Sequence, residues 1–144
     1  MNKEKNFVSA VIYVHNAENR IESFLKNVIN ILEENFEHSE IICVNDGSTD
    51  ESGKILQEYA AVDSRIVVVN KANGGLPSAR NAGLDVARGK YVGFVDGDDY
   101  VDSDMYRKMY NAAIANNADI VVCGGHLFPK EEKASQWLKD VLSP

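Results

Sequence analysis

The 144-residue sequence predicts an α/β fold: a three-layer α/β/α domain built on a mostly parallel central sheet. Three observations carry that expectation. Short runs rich in Val and Ile alternate with stretches whose apolar residues recur at helical spacing. The first run, residues 7–14, is apolar throughout except for Ser9, as a strand covered on both faces requires. Each run then stops at residues that favour turns or helix caps.

The first strand ends at His15-Asn16. Asn16 suits a helix N-cap, with Glu18 in the first turn, where the helix dipole favours a negative charge. Ile21, Phe24, Leu25, Val28, Ile31 and Leu32 then form the buried stripe. Residues 40–45 read as a second strand, closing in Asp46-Gly47-Ser48-Thr49-Asp50, where Ser48 and Glu51 have the spacing of a capping box. Ile55, Leu56, Tyr59 and Ala60 supply the next apolar stripe, and residues 65–70 a third strand. Asn73-Gly74-Gly75-Leu76-Pro77-Ser78 is a turn leading into a helix, because Pro is comfortable in a first helical turn. Small residues Ala79, Ala82, Gly83 and Ala87, with Val86, share one face of that helix and permit close packing; Arg88-Gly89 ends it.

Residues 91–95 form the fourth strand. Met105, Met109, Tyr110 and Ala113 mark another helix, residues 118–123 a fifth strand, and Gly124-Gly125 breaks the pattern. Trp137, Leu138, Val141 and Leu142 suggest a last short helix. The division expected is therefore a structureless start over 1–6, one domain over 7–125, and a tail over 126–144. Alternating strands and helices imply right-handed crossovers.

Composition narrows the functional classes. A net charge of −7 argues against general affinity for nucleic acid or anionic membrane. No apolar run approaches the ~18 residues of a membrane-spanning helix, and the start lacks a secretion signal. Cys43 and Cys123 lie in apolar runs and offer neither a disulfide framework nor metal-site spacing. The expected location is the cytoplasm.

The chemistry concentrates at the end of the fourth strand, where Asp96-Gly97-Asp98-Asp99 puts three carboxylates in four residues. Like charges so close repel, so the cluster belongs at the end of the sheet, in the crevice where α/β proteins bind ligands. Such a cluster either holds a hard cation, Mg2+ or Mn2+, or is a solvated acidic turn. Three further loops follow strands: His15-Asn16-Ala17-Glu18, Asn45-Asp46-Gly47-Ser48 and Asn73-Gly74-Gly75. In a parallel sheet all four share one edge. There Asp46 is able to accept a hydrogen bond from a base edge, and Gly47 and Gly74-Gly75 permit close backbone approach. Arg80 either neutralises an aspartate or touches a diphosphate. Each loop alone is a common turn.

Their combination and order are specific. Tyr13-Val14-His15-Asn16-Ala17-Glu18, Asn45-Asp46-Gly47-Ser48-Thr49-Asp50, Asn73-Gly74-Gly75 through Arg80-Asn81-Ala82-Gly83, and Asp96-Gly97-Asp98-Asp99 resemble the nucleotide-sugar half of family 2 glycosyltransferases. These are inverting enzymes of the Rossmann-like GT-A fold. The resemblance implies that the loop at Val14, His15, Asn16 and Glu18 holds base and ribose, that Asp46 reads the base, and that Gly74 and Arg80 border the pocket. It implies that Asp96, Gly97 and Asp98 form the Asp-x-Asp element, with Asp96 near the ribose and Asp98 on a metal that bridges the diphosphate. Mn2+ or Mg2+ is thus the expected cofactor, with Asp98 and Asp96 its ligands. Tyr13 and His15 replace the family's usual Pro and Tyr, Asn45 its usual Asp, and Gly97 a common Ser. His15 either stacks on a base or caps the end of the sheet.

The implied reaction moves a sugar from a nucleoside-diphosphate sugar, with a UDP-sugar the expected donor, to a glycan, lipid-linked glycan or other hydroxyl acceptor. Cell-envelope or capsular polysaccharide synthesis is a common occupation of that family, and a peripheral position at the inner membrane face is the alternative to a free cytoplasmic one. In that family the general base lies farther along the chain, so it is expected beyond Pro144, and the chain reads as part of a longer enzyme. A sheet edge left bare beside residues 118–123 would invite self-association. The competing reading is a module that binds nucleotide sugars without catalysis. A receiver domain is excluded because no acidic pair follows the first strand, and a dinucleotide-binding domain because no glycines do.

Overall fold

The computed structural model describes residues 3–97 and 99–124. Four parallel strands, β1 (Val8–Val14), β2 (Ser39–Asp46), β3 (Ile66–Lys71) and β4 (Tyr91–Asp96), form one sheet in the order β3-β2-β1-β4. Helices α1 (Ile21–Asn35), α2 (Ser52–Val62) and α3 (Leu76–Val86) make the three crossovers, and α4 (Met105–Asn116) follows β4. The chain steps outward from β1 to β2 to β3, then returns past them to β4. With right-handed crossovers, α1 and α2 therefore lie on one face and α3 on the other.

The strands form where both faces are covered. Ala10, Ile12 and Val14 of β1 and Ile42, Cys43 and Val44 of β2 are each 0% exposed. Val11, Ile42, Val44 and Ala79 build the cluster between the sheet and α3. Ile21, Phe24, Leu25, Val28, Ile31 and Leu32 are buried along α1, as their spacing predicts. On α3, Ala79 and Gly83 are buried, but Val86 is exposed and does not join the packed face.

Several local expectations give way. Asn16 is not an N-cap: it takes a left-handed φ of 47°, and α1 begins only at Ile21, with Arg20 at the cap and no side-chain cap bond. Ser48 and Glu51 form no capping box, since α2 also starts without a side-chain cap bond and both residues bond to the β1–α1 loop instead. The start is more ordered than expected from residue 4 onward. Glu4 forms a parallel bridge with Phe36, donating to the Asn35 carbonyl at 2.9 Å and accepting from Glu37 N–H at 2.9 Å.

The described residues up to Tyr106 form one compact unit and those from Arg107 onward belong to a second. In the second, α4 ends at Asn116, and residues 118–124 are not a strand; Ile120 and Val122 are 82% and 85% exposed. An apolar run becomes a strand only when a neighbour pairs its N–H and C=O groups, and the described sheet contains only the four strands above. Its edges are β3 and β4, so the bare edge expected beside 118–123 is not there. The expected helix around Trp137–Leu142 lies outside the described residues. Among the described residues, no helix is long and apolar enough to cross a membrane.

Candidate nucleotide-sugar site

Parallel register brings the polar ends of the strands together. Tyr13 lies opposite Asp96, and Asp46 opposite Lys71, all at the carboxyl edge of the sheet. Between β1 and β4 the strand order reverses, since the chain runs outward from β1 through β2 to β3 and returns to pair β4 on the other side of β1. Open α/β sheets bind ligands at such a switch point. A cleft of about 360 Å³ opens there, lined by Tyr13, His15, Asn16, Ala17, Arg20 and Gly97. That volume lies within the ordinary small-molecule range of about 300–1,000 Å³.

Loops 15–18 and 48–52 are laced to each other. Asn16 N–H donates to Ser48 Oγ, Ala17 N–H to Ser52 Oγ and Glu18 N–H to an Asp50 oxygen, at 3.0, 2.8 and 3.2 Å. In return, Thr49 N–H donates to Asn16 Oδ1 at 2.8 Å and Glu51 N–H to Glu18 Oε2 at 3.0 Å. Asn16 and Glu18 therefore give shape to the loop that borders the cleft. Val14 is 0% exposed, so it packs in the core beneath this loop rather than lining the cleft.

His15 is held as well. Its Nδ1 lies 2.7 Å from the Asp46 carbonyl oxygen, which only accepts, so Nδ1 carries the proton. Nε2 then accepts, and Asn16 Nδ2 stands 3.4 Å from it. The ring caps the end of β2 while one edge still lines the cleft.

Asp46 is the most constrained polar side chain at this edge. It is 0% exposed. Oδ1 accepts from Lys71 Nζ at 2.9 Å and Gly74 N–H at 3.0 Å; Oδ2 accepts from Gly75 N–H at 3.0 Å and Tyr13 O–H at 3.3 Å. Burial alone raises its pKa, but the Lys71 ammonium and the two glycine amides outweigh it and hold the carboxyl below the usual range. Four donors fill a carboxylate's roughly four acceptor positions, so Asp46 fastens the β3–α3 loop to the end of β2. Gly47 completes the junction: at φ +68°, a Cβ there would lie 2.7 Å from Asn73 N.

The fourth loop brings Arg80 to Asp96, with Nη2 3.7 Å from Oδ1 and the guanidinium carbon 5.9 Å from the Phe94 ring centroid. Gly97 N–H donates to the Tyr13 carbonyl at 2.7 Å, tying this turn to β1, and Asp99 N–H donates to the Asp96 carbonyl at 3.0 Å. Asp98 lies outside the described residues. Among the described residues, no group of three or more His, Cys, Asp or Glu is placed to hold a metal. Asp96 still presents a half-buried carboxylate at the sheet end, the hard oxygen donor that Mg2+ and Mn2+ select.

The structure thus brings His15, Asn16, Glu18, Asp46, Gly74, Arg80, Asp96 and Gly97 to one edge of the sheet. It also adds three residues to which the sequence reading assigned no role at the site: Lys71, Tyr13 and Arg20. Lys71 is visible only once β2 and β3 are aligned in register, which sets it opposite Asp46. Tyr13 shows its role only when its side chain is seen reaching Asp46. Arg20 lines the cleft because α1 starts four residues later than the Asn16 cap would have placed it.

Known proteins resemble this chain in sequence and in fold. EpsJ of Bacillus subtilis (strain 168), an uncharacterized glycosyltransferase, is 48% identical over 117 residues, which cover 81% of this chain and 33% of EpsJ. The cholesterol galactosyltransferase of Borreliella burgdorferi is 39% identical over 114 residues, covering 79% of this chain and 31% of that protein. The chain thus spans about a third of these relatives' length. S. aureus TarS superposes with a TM-score of 0.65 at 26% identity, covering 85% of this chain and 38% of TarS. The Pyrobaculum calidifontis mannosyltransferase PcManGT, solved with GDP-Man and Mn2+, superposes at 0.67 with 21% identity, covering 76% of this chain and 33% of its own; that likeness shows the fold. Residues 9–142 match the model of glycosyl transferase family 2, and the chain belongs to that family.

Proposed function

We propose that this chain is the donor-binding part of a glycosyltransferase that moves a sugar from a nucleoside-diphosphate sugar, a UDP-sugar, to a hydroxyl acceptor with inversion. The observation that carries this reading is the meeting of four post-strand loops at the switch point, with a cleft lined by the β1–α1 loop and Gly97 and the Arg80–Asp96 pair at the end of β4. The choice of UDP is supported by a TarS structure in complex with UDP-GlcNAc, and a role in envelope polysaccharides by a relative named poly(ribitol-phosphate) beta-glucosyltransferase.

In this reading the loop at residues 14–18 receives base and ribose, Asp46 holds the base-side wall, and Arg80 stands beside the Asp96 carboxylate. Asp96 and Asp98 would hold a divalent cation. When bound, such a cation neutralises the charge that grows on the departing diphosphate. Among the described residues lining the cleft there is no carboxylate, so deprotonating the acceptor falls to a group elsewhere. That same fact favours a second reading for the chain by itself, a nucleotide-sugar-binding module without transfer.

Calorimetric titration of UDP with Mn2+, and then with EDTA, tests the proposal. Binding that needs Mn2+ and disappears in Asp98→Ala is the expected result. No binding of UDP, GDP or their sugars would overturn it.

A further inference from the structure

Lys71 is the residue at this edge that no loop motif contains, yet the geometry of the pocket depends on it. Its ammonium lies 2.9 Å from Asp46 Oδ1 and 2.7 Å from the Ala72 carbonyl, so one cation joins the end of β2 to the start of the β3–α3 loop. The Lys71 side chain is 20% exposed and the Asp46 side chain 0%. The next three residues of that loop are shaped by the same carboxylate: Gly74 and Gly75 each give it an amide, and Asn73 packs against Gly47. Gly75 is also the N-cap of α3, so the pair sets where the helix carrying Arg80 begins.

We propose that Lys71 is a positioning residue for the donor site. By clamping Asp46 it locks the Asn73-Gly74-Gly75 loop and the start of α3 in the shape that receives the nucleoside diphosphate. The inference rests on the donor-binding reading above.

The physical case is one of partners. Without the ammonium, Asp46 is a fully buried carboxylate left with two amides and the Tyr13 hydroxyl, and a buried charge stripped of its counter-ion takes up a proton more readily. A protonated Asp46 turns one oxygen into an O–H donor among groups that are themselves donors. One glycine amide then meets a competing donor, both amides lose the charge that strengthened their bonds, and the loop loosens. The charged and titratable groups facing Asp46 are Lys71 from β3 and Tyr13 from β1; the His15 ring meets its main-chain carbonyl. Only Lys71 brings a positive charge to the carboxylate in this set.

The test compares Lys71→Met, Lys71→Gln and Lys71→Arg with the parent chain, using UDP titration between pH 5 and 8 and amide exchange of Gly74 and Gly75 by NMR without ligand. Lys71→Met is expected to bind UDP about tenfold more weakly, the scale of losing an outer partner that orients a binding group. Its affinity should also fall further toward acid pH, where the parent stays flat. Lys71→Arg keeps the charge and should recover most of the affinity; Lys71→Gln keeps a donor without the charge and should retain the acid sensitivity. Equal affinity and equal pH profiles in Lys71→Met and the parent would overturn the proposal, as would glycine amides equally protected in both. Should Lys71→Met not fold, Lys71→Gln against Lys71→Arg decides by the same two readouts. Should the parent itself bind no UDP, the donor-binding reading fails, while amide exchange in the variants still decides whether Lys71 locks the loop.

Discussion

Replacing Glu40 should separate the stability of this fold from its ligand chemistry. Glu40 is 1% exposed and sits near the amino end of β2, at the opposite end of the sheet from the donor loops. Its Oε1 accepts from the Ser9 hydroxyl and from Arg88 N–H, both at 2.7 Å, while Oε2 accepts from Arg88 Nε at 3.1 Å. Gly89 N–H in turn donates to Ser9 Oγ at 2.8 Å, so one carboxylate fastens the α3–β4 connection to β1 and β2. Glu40→Ala leaves the Ser9 hydroxyl and Arg88 N–H without their acceptor, at about 1–3 kcal/mol each. The Arg88 side chain is 70% exposed and returns to water, so its ion pair adds little. Relief of the carboxylate's own desolvation offsets part of the loss, leaving a net of about 3 kcal/mol.

Glu40→Gln keeps one acceptor oxygen for both donors and should lose about 1–2 kcal/mol. Burial pushes the Glu40 carboxyl up, but the Arg88 amide, the Ser9 hydroxyl and the Arg88 guanidinium bring it below its ordinary value. A carboxyl lowered in the folded state contributes fully above the unfolded value near 4.5, and the contribution is lost as pH falls through the folded pKa. Urea melts of the parent and both variants, at pH 7 and pH 3, measure this. The advantage of the parent over Glu40→Gln should shrink at the acid end. Equal losses in Glu40→Ala and Glu40→Gln, or a gap that widens in acid, would refute the reasoning.

Two further outcomes follow from packing. Gly83→Ala gains about 1 kcal/mol of helix propensity, but the new Cβ would lie 2.4 Å from Val11 Cγ1, in the core between α3 and β1. Val11 is 2% exposed and stiff at χ1, so overpacking of about 1–3 kcal/mol should win and the melting temperature should fall. In thiol titration, Cys123, which is exposed, should react in the native protein. Cys43, whose thiol burial pushes up to about 12, should react only after denaturation.

The sequence was most legible where one physical demand dominates. The first strand's run of apolar residues has a single good solution, burial on both faces, and the alternation of runs then prescribes the parallel sheet. It was least legible where a side chain had two local uses. Asn16 is as good a cap by composition as it is a loop brace, and the choice is made by Thr49, 33 residues away. Ser48 and Glu51 have capping-box spacing, but their partners also lie in the other loop. Lys71 carries no motif; only strand register gives it meaning. Residues 118–123 are apolar enough for a strand, but a strand is a property of a pair.

The account's central claim is that one nucleotide meets four loops at once. Mapping amide shifts by NMR as UDP and Mg2+ are added tests it directly. The account predicts shifts concentrated at residues 14–18, 45–48, 73–75 and 96–99, with the Glu40–Arg88 clasp unmoved. Shifts confined to the clasp or to residues 107–124, with those four loops silent, would contradict it.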